Sequence, residues 1–150
     1  MKKILKAALL IFWMGVIFFM SSQPELESEA TSNLATELIY KVYAFLFAGS
    51  HMDISQFFAL YGQPIRKLAH FTEFMILGVL MYANYREYFH NDIFAYPLLA
   101  AGAYAVSDEI HQLFVAGRYC SLKDMAIDTA GAFCGVLLYH LYIRWKSKRN

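Results

Sequence analysis

The chain carries few charges for its length of 150 residues. Only 17% of its residues are Asp, Glu, Lys or Arg, whereas 59% are hydrophobic and 17% are aromatic. An ordinary soluble domain has about 25% charged residues, so this composition favours a membrane protein. The formal net charge of +1 gives no bulk attraction for nucleic acid, and no basic stripe interleaved with aromatic residues is present. We therefore exclude nucleic-acid binding.

Cysteines are also scarce. Only Cys120 and Cys134 occur, one in a predicted loop and one in an apolar helix, so neither a disulfide framework nor a paired metal-thiolate spacing is indicated. Internal repeats and low-complexity tracts are absent from the sequence. A length of 150 residues fits one domain, and we expect a single domain over residues 1–150.

Long apolar runs, by contrast, recur four times. A membrane helix needs about 17 to 25 residues, and the runs cover residues 4–20, 68–85, 93–114 and 125–143. The first run follows a lysine cluster as a signal peptide would. Its core is long for a signal peptide and no A-x-A-like cleavage site follows, which favours an uncleaved anchor. The sequence predicts an all-α membrane protein with a bundle of four transmembrane helices.

The basic residues that flank these runs predict an orientation. Lys and Arg near a membrane end tend to stay in the cytoplasm. Three basic groups flank the runs: Lys2, Lys3 and Lys6, then Arg86, then Arg144, Lys146, Lys148 and Arg149. All three fall on one side of a four-span arrangement. This arrangement puts four other basic residues at the outer face, where they need partners: Arg66, Lys67, Arg118 and Lys123. We therefore expect a multi-pass protein of the bacterial cell membrane with both termini in the cytoplasm.

The segment between the first two runs is too polar to span a membrane. One apolar stripe in it has helical spacing and comprises Leu34, Leu38, Val42 and Phe45. Asp53 followed by Gln56 resembles a capping box, and Pro64 suits the first turn of the next span. We expect short amphipathic helices over residues 28–62 in an outer loop. They either lie on the outer leaflet or pack over the bundle, and packing over the bundle is favoured.

Ionisable residues interrupt three of the apolar runs at a common depth. At about 1.5 Å of rise per residue, His70, Glu73, Asp108 and Asp128 all lie about 5 to 9 Å inside the predicted outer boundary. Gln112 is four residues from Asp108 and therefore shares its helix face. Three helices thus bring polar groups to one level.

Small residues continue these polar stripes. Ala101 and Ala105 extend the stripe of Asp108, and Gly131 and Gly135 extend that of Asp128. Small residues let membrane helices approach closely, so we expect these faces to meet in the bundle interior.

Two interpretations of this polar layer remain open. A carboxylate in a membrane helix costs about 2.5 to 3.5 kcal/mol and is usually paired or faces a cavity. The layer is either a charge-neutral network that pins the helix ends together, or a site open to the outer surface. In such a site the carboxylates share a proton or hold an oxygen-liganded divalent cation, while Arg118 faces an anionic group.

The stretches "RKLAHFTEFMILGVLM" and "SDEIHQLFVAGRYCSLKDMAIDTAGAFCG" resemble the VanZ-like family of bacterial membrane proteins. The shared motifs are K-x-x-H-F-x-E, D-E-x-x-Q, G-R and D-x-x-x-N-x-x-G. Carried over, the resemblance selects Lys67, His70, Glu73, Asp108, Glu109, Gln112, Gly117, Arg118, Asp124 and Gly131. Asp128 stands where the pattern often has Asn, which adds a potential negative charge.

The resemblance implies a cell-envelope protein that influences susceptibility to glycopeptides such as teicoplanin. One hypothesis is an enzyme acting at the outer leaflet on a lipid-linked or cell-wall-related substrate. Its candidate catalytic residues are His70, Glu73, Asp108 and Glu109, with His70 or Glu73 as general base and the other two as proton partners or cation ligands. Its candidate substrate-binding residues are Lys67, Gln112, Arg118, Asp124 and Asp128.

The second hypothesis is a non-enzymatic binding or structural protein, in which the polar layer is the helix-pinning network. Membrane lipid and a lipid-linked or cell-wall-related ligand are the expected partners. A transporter is disfavoured, because nothing polar continues inward through "MILGVLM" or "AFCGVLLY".

Overall fold

The computed structural model describes residues 2–47 and 52–149, except for the side chain of Lys2. These residues form five helices and no strand, which confirms the all-α fold class. The helices are α1 (Lys2–Ser21), α2 (Glu25–Leu46), α3 (Ile54–Phe89), α4 (Ala95–Gln112) and α5 (Leu122–Ser147).

Two helices of the described chain are long and apolar enough to cross a membrane, Lys3–Ser21 and Leu122–Ser147. They contain the predicted runs 4–20 and 125–143. The runs 68–85 and 93–114 lie largely within α3 and α4, where ionisable residues interrupt the apolar sequence. At this coarse level the helices agree with a membrane protein.

The prediction for the segment between the first two runs is wrong in its helix lengths. α2 is one helix of 22 residues, and the second expected short helix is the beginning of α3, which continues through Pro64 for 36 residues. Part of the segment, residues 48–51, lies outside the described residues. The predicted capping box is confirmed: Asp53 Oδ1 accepts a hydrogen bond from the Gln56 backbone N–H at 2.8 Å, and Gln56 Oε1 accepts one from the Asp53 N–H at 3.2 Å.

Pro64 was expected to begin a helix but lies inside one. An interior proline removes a backbone hydrogen bond and costs about 3 kcal/mol. Packing on both sides of Pro64 offsets this cost. Before it, the buried ring of Phe57 lies 5.3 Å from Tyr40 and 5.2 Å from Tyr43 of α2. After it, α3 packs against α1, α4 and α5. Pro64 therefore interrupts a helix that tertiary contacts hold together.

α2 packs against α3 through a different face from the one expected. The apolar stripe of α2, defined as Leu34, Leu38, Val42 and Phe45, is between 58% and 84% exposed. The buried side of α2 carries Ser28 and Thr36. The stripe therefore faces away from the rest of the protein, although α2 itself packs against α3.

α3 and α5 run parallel at very close range. Gly131 faces the backbone carbonyl of Phe71, and Gly135 faces that of Met75, so the contacts advance together along both helices. A Cβ atom added at either glycine would overlap the facing carbonyl oxygen. This confirms that the glycine stripe of α5 meets another helix in the bundle interior.

The other two helices of the bundle run in the opposite direction to α3. Lys6 near the start of α1 contacts Glu87 near the end of α3, and Ser21 at the end of α1 contacts Asp108 near the end of α4. One end of the bundle, here called the polar end, therefore collects the ends of α1 and α4 and the start of α5. Ala101 and Ala105 of α4 lie fully buried in the core beneath it.

Candidate functional site

Asp108 joins two helices at the polar end. Its Oδ2 accepts a hydrogen bond from Ser21 Oγ at 2.7 Å and one from Gln112 Nε2 at 3.3 Å. The residue is only 4% exposed, so these donors replace water around a buried carboxylate. Sequence reasoning assigned Ser21 no role in the site.

Glu109 holds the start of α5. Its Oε2 accepts a hydrogen bond from the Ser121 backbone N–H at 2.8 Å, and Ser121 Oγ accepts one from the Asp124 N–H at 3.2 Å as the N-cap of α5. Glu109 is 1% exposed. It therefore fixes the loop before α5 through the capping residue, which the sequence patterns did not single out.

His70 and Glu73 are the more accessible pair of the four candidate catalytic residues. The side chain of each is 23% exposed, and His70 Nδ1 lies 3.8 Å from Glu73 Oε2. This separation is too long for a direct hydrogen bond. The Glu73 backbone carbonyl accepts a hydrogen bond from Trp13 Nε1 at 2.9 Å, so this turn of α3 is held against α1.

Asp128 is buried without a hydrogen bond to its Oδ1 atom. It is 1% exposed and lies one turn before Gly131 on the α5 face that meets α3. Four other carboxylates are close enough to interact electrostatically with it, namely Asp108, Glu109, Asp124 and Glu73. Asp128 therefore sits among acidic groups without a basic partner in direct contact among the described residues.

A metal ion was one of the expectations for this acidic layer. Across residues 2–47 and 52–149, no group of three or more His, Cys, Asp or Glu residues is arranged to hold one.

Lys67 and Asp124 form an ion pair between α3 and α5. Lys67 Nζ lies 3.7 Å from Asp124 Oδ1, and the two side chains are 43% and 38% exposed. A pair this accessible to solvent contributes at most about 1 kcal/mol. The ion pair therefore adds little to stability, but it shows which turns of α3 and α5 lie side by side.

Arg118 is held by neutral groups. Its Nε donates to the Gln23 backbone carbonyl at 3.4 Å, and its Nη1 donates to Gln112 Oε1 at 3.3 Å. Burial lowers the pKa of the Arg118 guanidinium from its usual value, and the positive charge of Arg66 lowers it further. A guanidinium nevertheless stays protonated. Within the described part of the chain, neither arginine forms an ion pair with a carboxylate.

The loop that carries Arg118 is docked onto α2. The Glu25 backbone N–H donates to the Ala116 carbonyl at 3.2 Å. Gly117 has a φ of 77°, a left-handed conformation that glycine adopts without strain, and the Glu25 side chain packs beside it. Gly117 is therefore required by the shape of this loop.

A small polar cavity opens at the arginines. Its volume is about 110 Å³, and its lining residues are Glu25, Glu29, Gln63, Arg66, Gln112, Arg118, Tyr119 and Asp124. Sequence reasoning named Asp124, Gln112 and Arg118 as binding residues and Arg66 as a basic residue at the outer face. It missed the other four, because the contact of α2 with the loop joins residues far apart in the chain.

The nine candidate site residues all come to the polar end, although not as one bonded group. Direct contacts connect Asp108, Gln112 and Arg118. A second chain of contacts runs from Glu109 through Ser121 to Asp124 and Lys67. The remaining three residues are His70, Glu73 and Asp128. Among the described residues their side chains make no bond to either of these two sets of contacts, but they lie within electrostatic range of charged residues in them.

The fold and the site together define an all-helical bundle with two strongly apolar helices and a layer of charged groups at one end. A family model described as VanZ/LLP1 matches residues 6–143. The chain belongs to this family, which confirms the resemblance seen in the motifs. No curated protein and no solved structure matches the chain.

Proposed function

We propose that the protein is a single-domain, four-span protein of the bacterial cell membrane. Its polar end binds the anionic group of a lipid-linked or cell-wall-related ligand at the outer face. Membership of the VanZ/LLP1 family supports a cell-envelope role that influences glycopeptide susceptibility.

The alternating helix directions support the four spans. α1 and α4 run towards the polar end, whereas α3 and α5 run away from it. The opposite end carries basic residues, including Lys6, which contacts Glu87 at 2.6 Å, and Arg86, which contacts Asp92 at 2.7 Å. By the positive-inside rule that end is cytoplasmic, as are both termini, and the polar end faces outward.

The observation that carries the proposed binding is the state of Arg66 and Arg118. Both line the cavity, and neither is neutralised by an ion pair among the described residues. A guanidinium presents a planar fork of donors that matches the oxygens of a phosphate or carboxylate. A network that served only to pin helix ends would pair these charges with the nearby carboxylates. The unpaired arginines therefore favour a ligand site.

The same geometry divides the candidate catalytic residues by role. Asp108 and Glu109 are occupied by hydrogen bonds to groups that hold helix ends. His70 and Glu73 are partly exposed and not bonded to each other, so they are the groups available to accept a proton from a ligand hydroxyl or water. Asp128 has no bonded partner at Oδ1 and lies within electrostatic range of Glu73.

A non-enzymatic structural role is the second candidate. The Ser21–Asp108 and Glu109–Ser121 hydrogen bonds link α1, α4 and the start of α5, as a helix-pinning network requires. In this alternative the hydrogen bonds of the polar end stabilise the helix bundle. The protein then influences glycopeptide susceptibility by binding a ligand or by its presence in the membrane, without catalysis.

Glycopeptide susceptibility of cells at matched protein levels separates these functions. We expect Arg118→Ala to restore susceptibility while the protein level persists, because Arg118 is bonded only to neutral groups. Lys123→Ala removes an exposed charge outside the cavity and should leave susceptibility unchanged. If resistance falls only in proportion to protein abundance in the Arg118 variant, the binding role is wrong.

A direct assay tests whether there is turnover. Purified protein in nanodiscs is incubated with a panel of lipid-linked envelope precursors, and Glu73→Gln is compared with wild type. Turnover by wild type that Glu73→Gln abolishes supports an enzyme. Binding without turnover across the panel supports the non-enzymatic alternative.

A further inference from the structure

Two acidic residues face the arginines across the cavity. Glu25 and Glu29 are four residues apart on α2, so they share a helix face, and both line the cavity with Arg66 and Arg118. No ion pair joins the two acidic residues to the two arginines within the described chain. The cavity is thus lined by two arginines and two glutamates, here called its basic wall and its acidic wall, that form no ion pair with each other.

One residue of each wall is held in place by hydrogen bonds. Glu25 is fixed by the hydrogen bond from its N–H to Ala116 and by packing beside Gly117. Arg118 is fixed by its bonds to Gln23 and Gln112. These contacts position the Glu25 backbone and the Arg118 guanidinium at the cavity, where a group bound between the acidic and the basic residues can contact both.

The size of the gap limits what this group can be. About 10 to 15 Å³ of cavity volume holds one water, so a cavity of about 110 Å³ has room for a compact headgroup. Charge-assisted hydrogen bonds are roughly twice as strong as neutral ones. A ligand with an anion for the arginines and a cation for the glutamates would make such bonds on both walls.

We infer that the cavity binds a zwitterionic group, a phosphate joined by a short linker to a primary ammonium. The phosphate lies against Arg66 and Arg118, and the ammonium lies against Glu25 and Glu29. This rests on the proposed function, because it assigns a substrate class to the same outer-face site. A phospholipid headgroup and a free phosphorylated amine carry the same chemistry.

The inference is tested by lipid retention on the full chain in detergent. Native mass spectrometry compares phosphatidylethanolamine with phosphatidylglycerol and phosphatidate of matched acyl chains. We expect wild type to retain phosphatidylethanolamine at least about tenfold better than phosphatidylglycerol, since one charge-assisted contact is worth about a factor of ten. Free O-phosphorylethanolamine is added as a competitor. Competition by it assigns recognition to the headgroup, and its failure to compete shows that the acyl chains are also needed.

Matched variants separate the two walls. Glu25→Gln combined with Glu29→Gln should reduce the preference for phosphatidylethanolamine to about one while phosphatidylglycerol is retained as before. Glu27→Gln removes the same charge from the same helix outside the cavity and should preserve the preference. If the double variant keeps the wild-type preference, the zwitterion inference is wrong.

The outcome for the arginines is independent of the acidic wall. Arg118→Gln should reduce retention of all three phospholipids. Arg66→Gln breaks no hydrogen bond or ion pair of the described residues, so it provides the same test if the Arg118 variant does not fold. Loss of phospholipid in the arginine variants with no effect of the glutamate variants would leave the proposed function standing and reject the zwitterion. Full retention in both arginine variants would reject the proposed function itself.

Discussion

The close contact between α3 and α5 gives a prediction that can be worked through from the structure. Gly131→Ala places a Cβ atom onto the backbone carbonyl oxygen of Phe71. Backbone cannot move aside as a flexible side chain can, so the helices must separate. Overpacking of this kind costs about 1 to 3 kcal/mol. The separation also moves Asp128, one turn away, relative to His70 and Glu73.

Gly102→Ala is the matched control for this substitution. Gly102 lies within a helix, and a Cβ atom added there meets nothing within 4 Å. Alanine in place of glycine in a helix interior gains about 1 kcal/mol from propensity alone. Gly131→Ala gains the same propensity term, so the two variants should differ in the free energy of unfolding by the overpacking cost alone, roughly 1 to 3 kcal/mol, with Gly131→Ala the less stable.

The assay is reversible unfolding in mixed micelles with increasing denaturing detergent, followed by circular dichroism. Ligand retention is measured on the same samples. Equal stability of Gly131→Ala and Gly102→Ala would falsify the close parallel packing of α3 and α5. Reduced stability with unchanged ligand retention would show that the position of Asp128 does not matter for binding.

Three further outcomes are expected. Ser21→Ala should destabilise the protein by about 1.5 to 3 kcal/mol in the same unfolding assay, because it removes a donor to a buried carboxylate; no change would mean that water replaces it. The hydrogen bond from Lys6 lowers the pKa of Glu87 from its usual value. The stability that this contact contributes is therefore present above pH 4.5 and is lost as the pH falls through the lowered pKa. Glu87→Gln should remove this acid-dependent part of the free energy of unfolding. Fluorescence of Val42→Trp should be quenched by brominated lipid more than that of Asn33→Trp, which lies on the opposite side of α2; equal quenching would exclude contact of the apolar stripe with the membrane.

The features that the sequence predicted depend on local spacing. Asp53 and Gln56 are three residues apart, so their capping box involves only neighbouring residues. Gly131 and Gly135 follow the helical period, so their common face could be identified without knowing which helix it meets. That the carboxylates of different helices come to one end of the bundle followed from the rise per residue and the ends of the apolar runs.

The features that were missed depend on contacts between distant segments. Whether Pro64 starts or interrupts a helix is decided by the packing of α2 against one side of it and of the bundle against the other. The periodicity of α2 identified an apolar stripe but could not say that Ser28 and Thr36 form the buried face. Ser21 and Glu25 acquired roles only through partners about ninety residues away, Asp108 and Ala116.

Pro64 lies at the level of the cavity, between Gln63 and Arg66 of its lining. Because proline leaves one carbonyl of the preceding turn without its N–H donor, a helix bends most readily at such a point. Glu25 and Glu29 belong to α2, which packs against the part of α3 before the proline. Lys67, which pairs with Asp124, lies just after the proline. A bend of α3 at this point would move Gln63 relative to Arg66, whereas Glu25 stays attached to the loop of Arg118 through its hydrogen bond to Ala116.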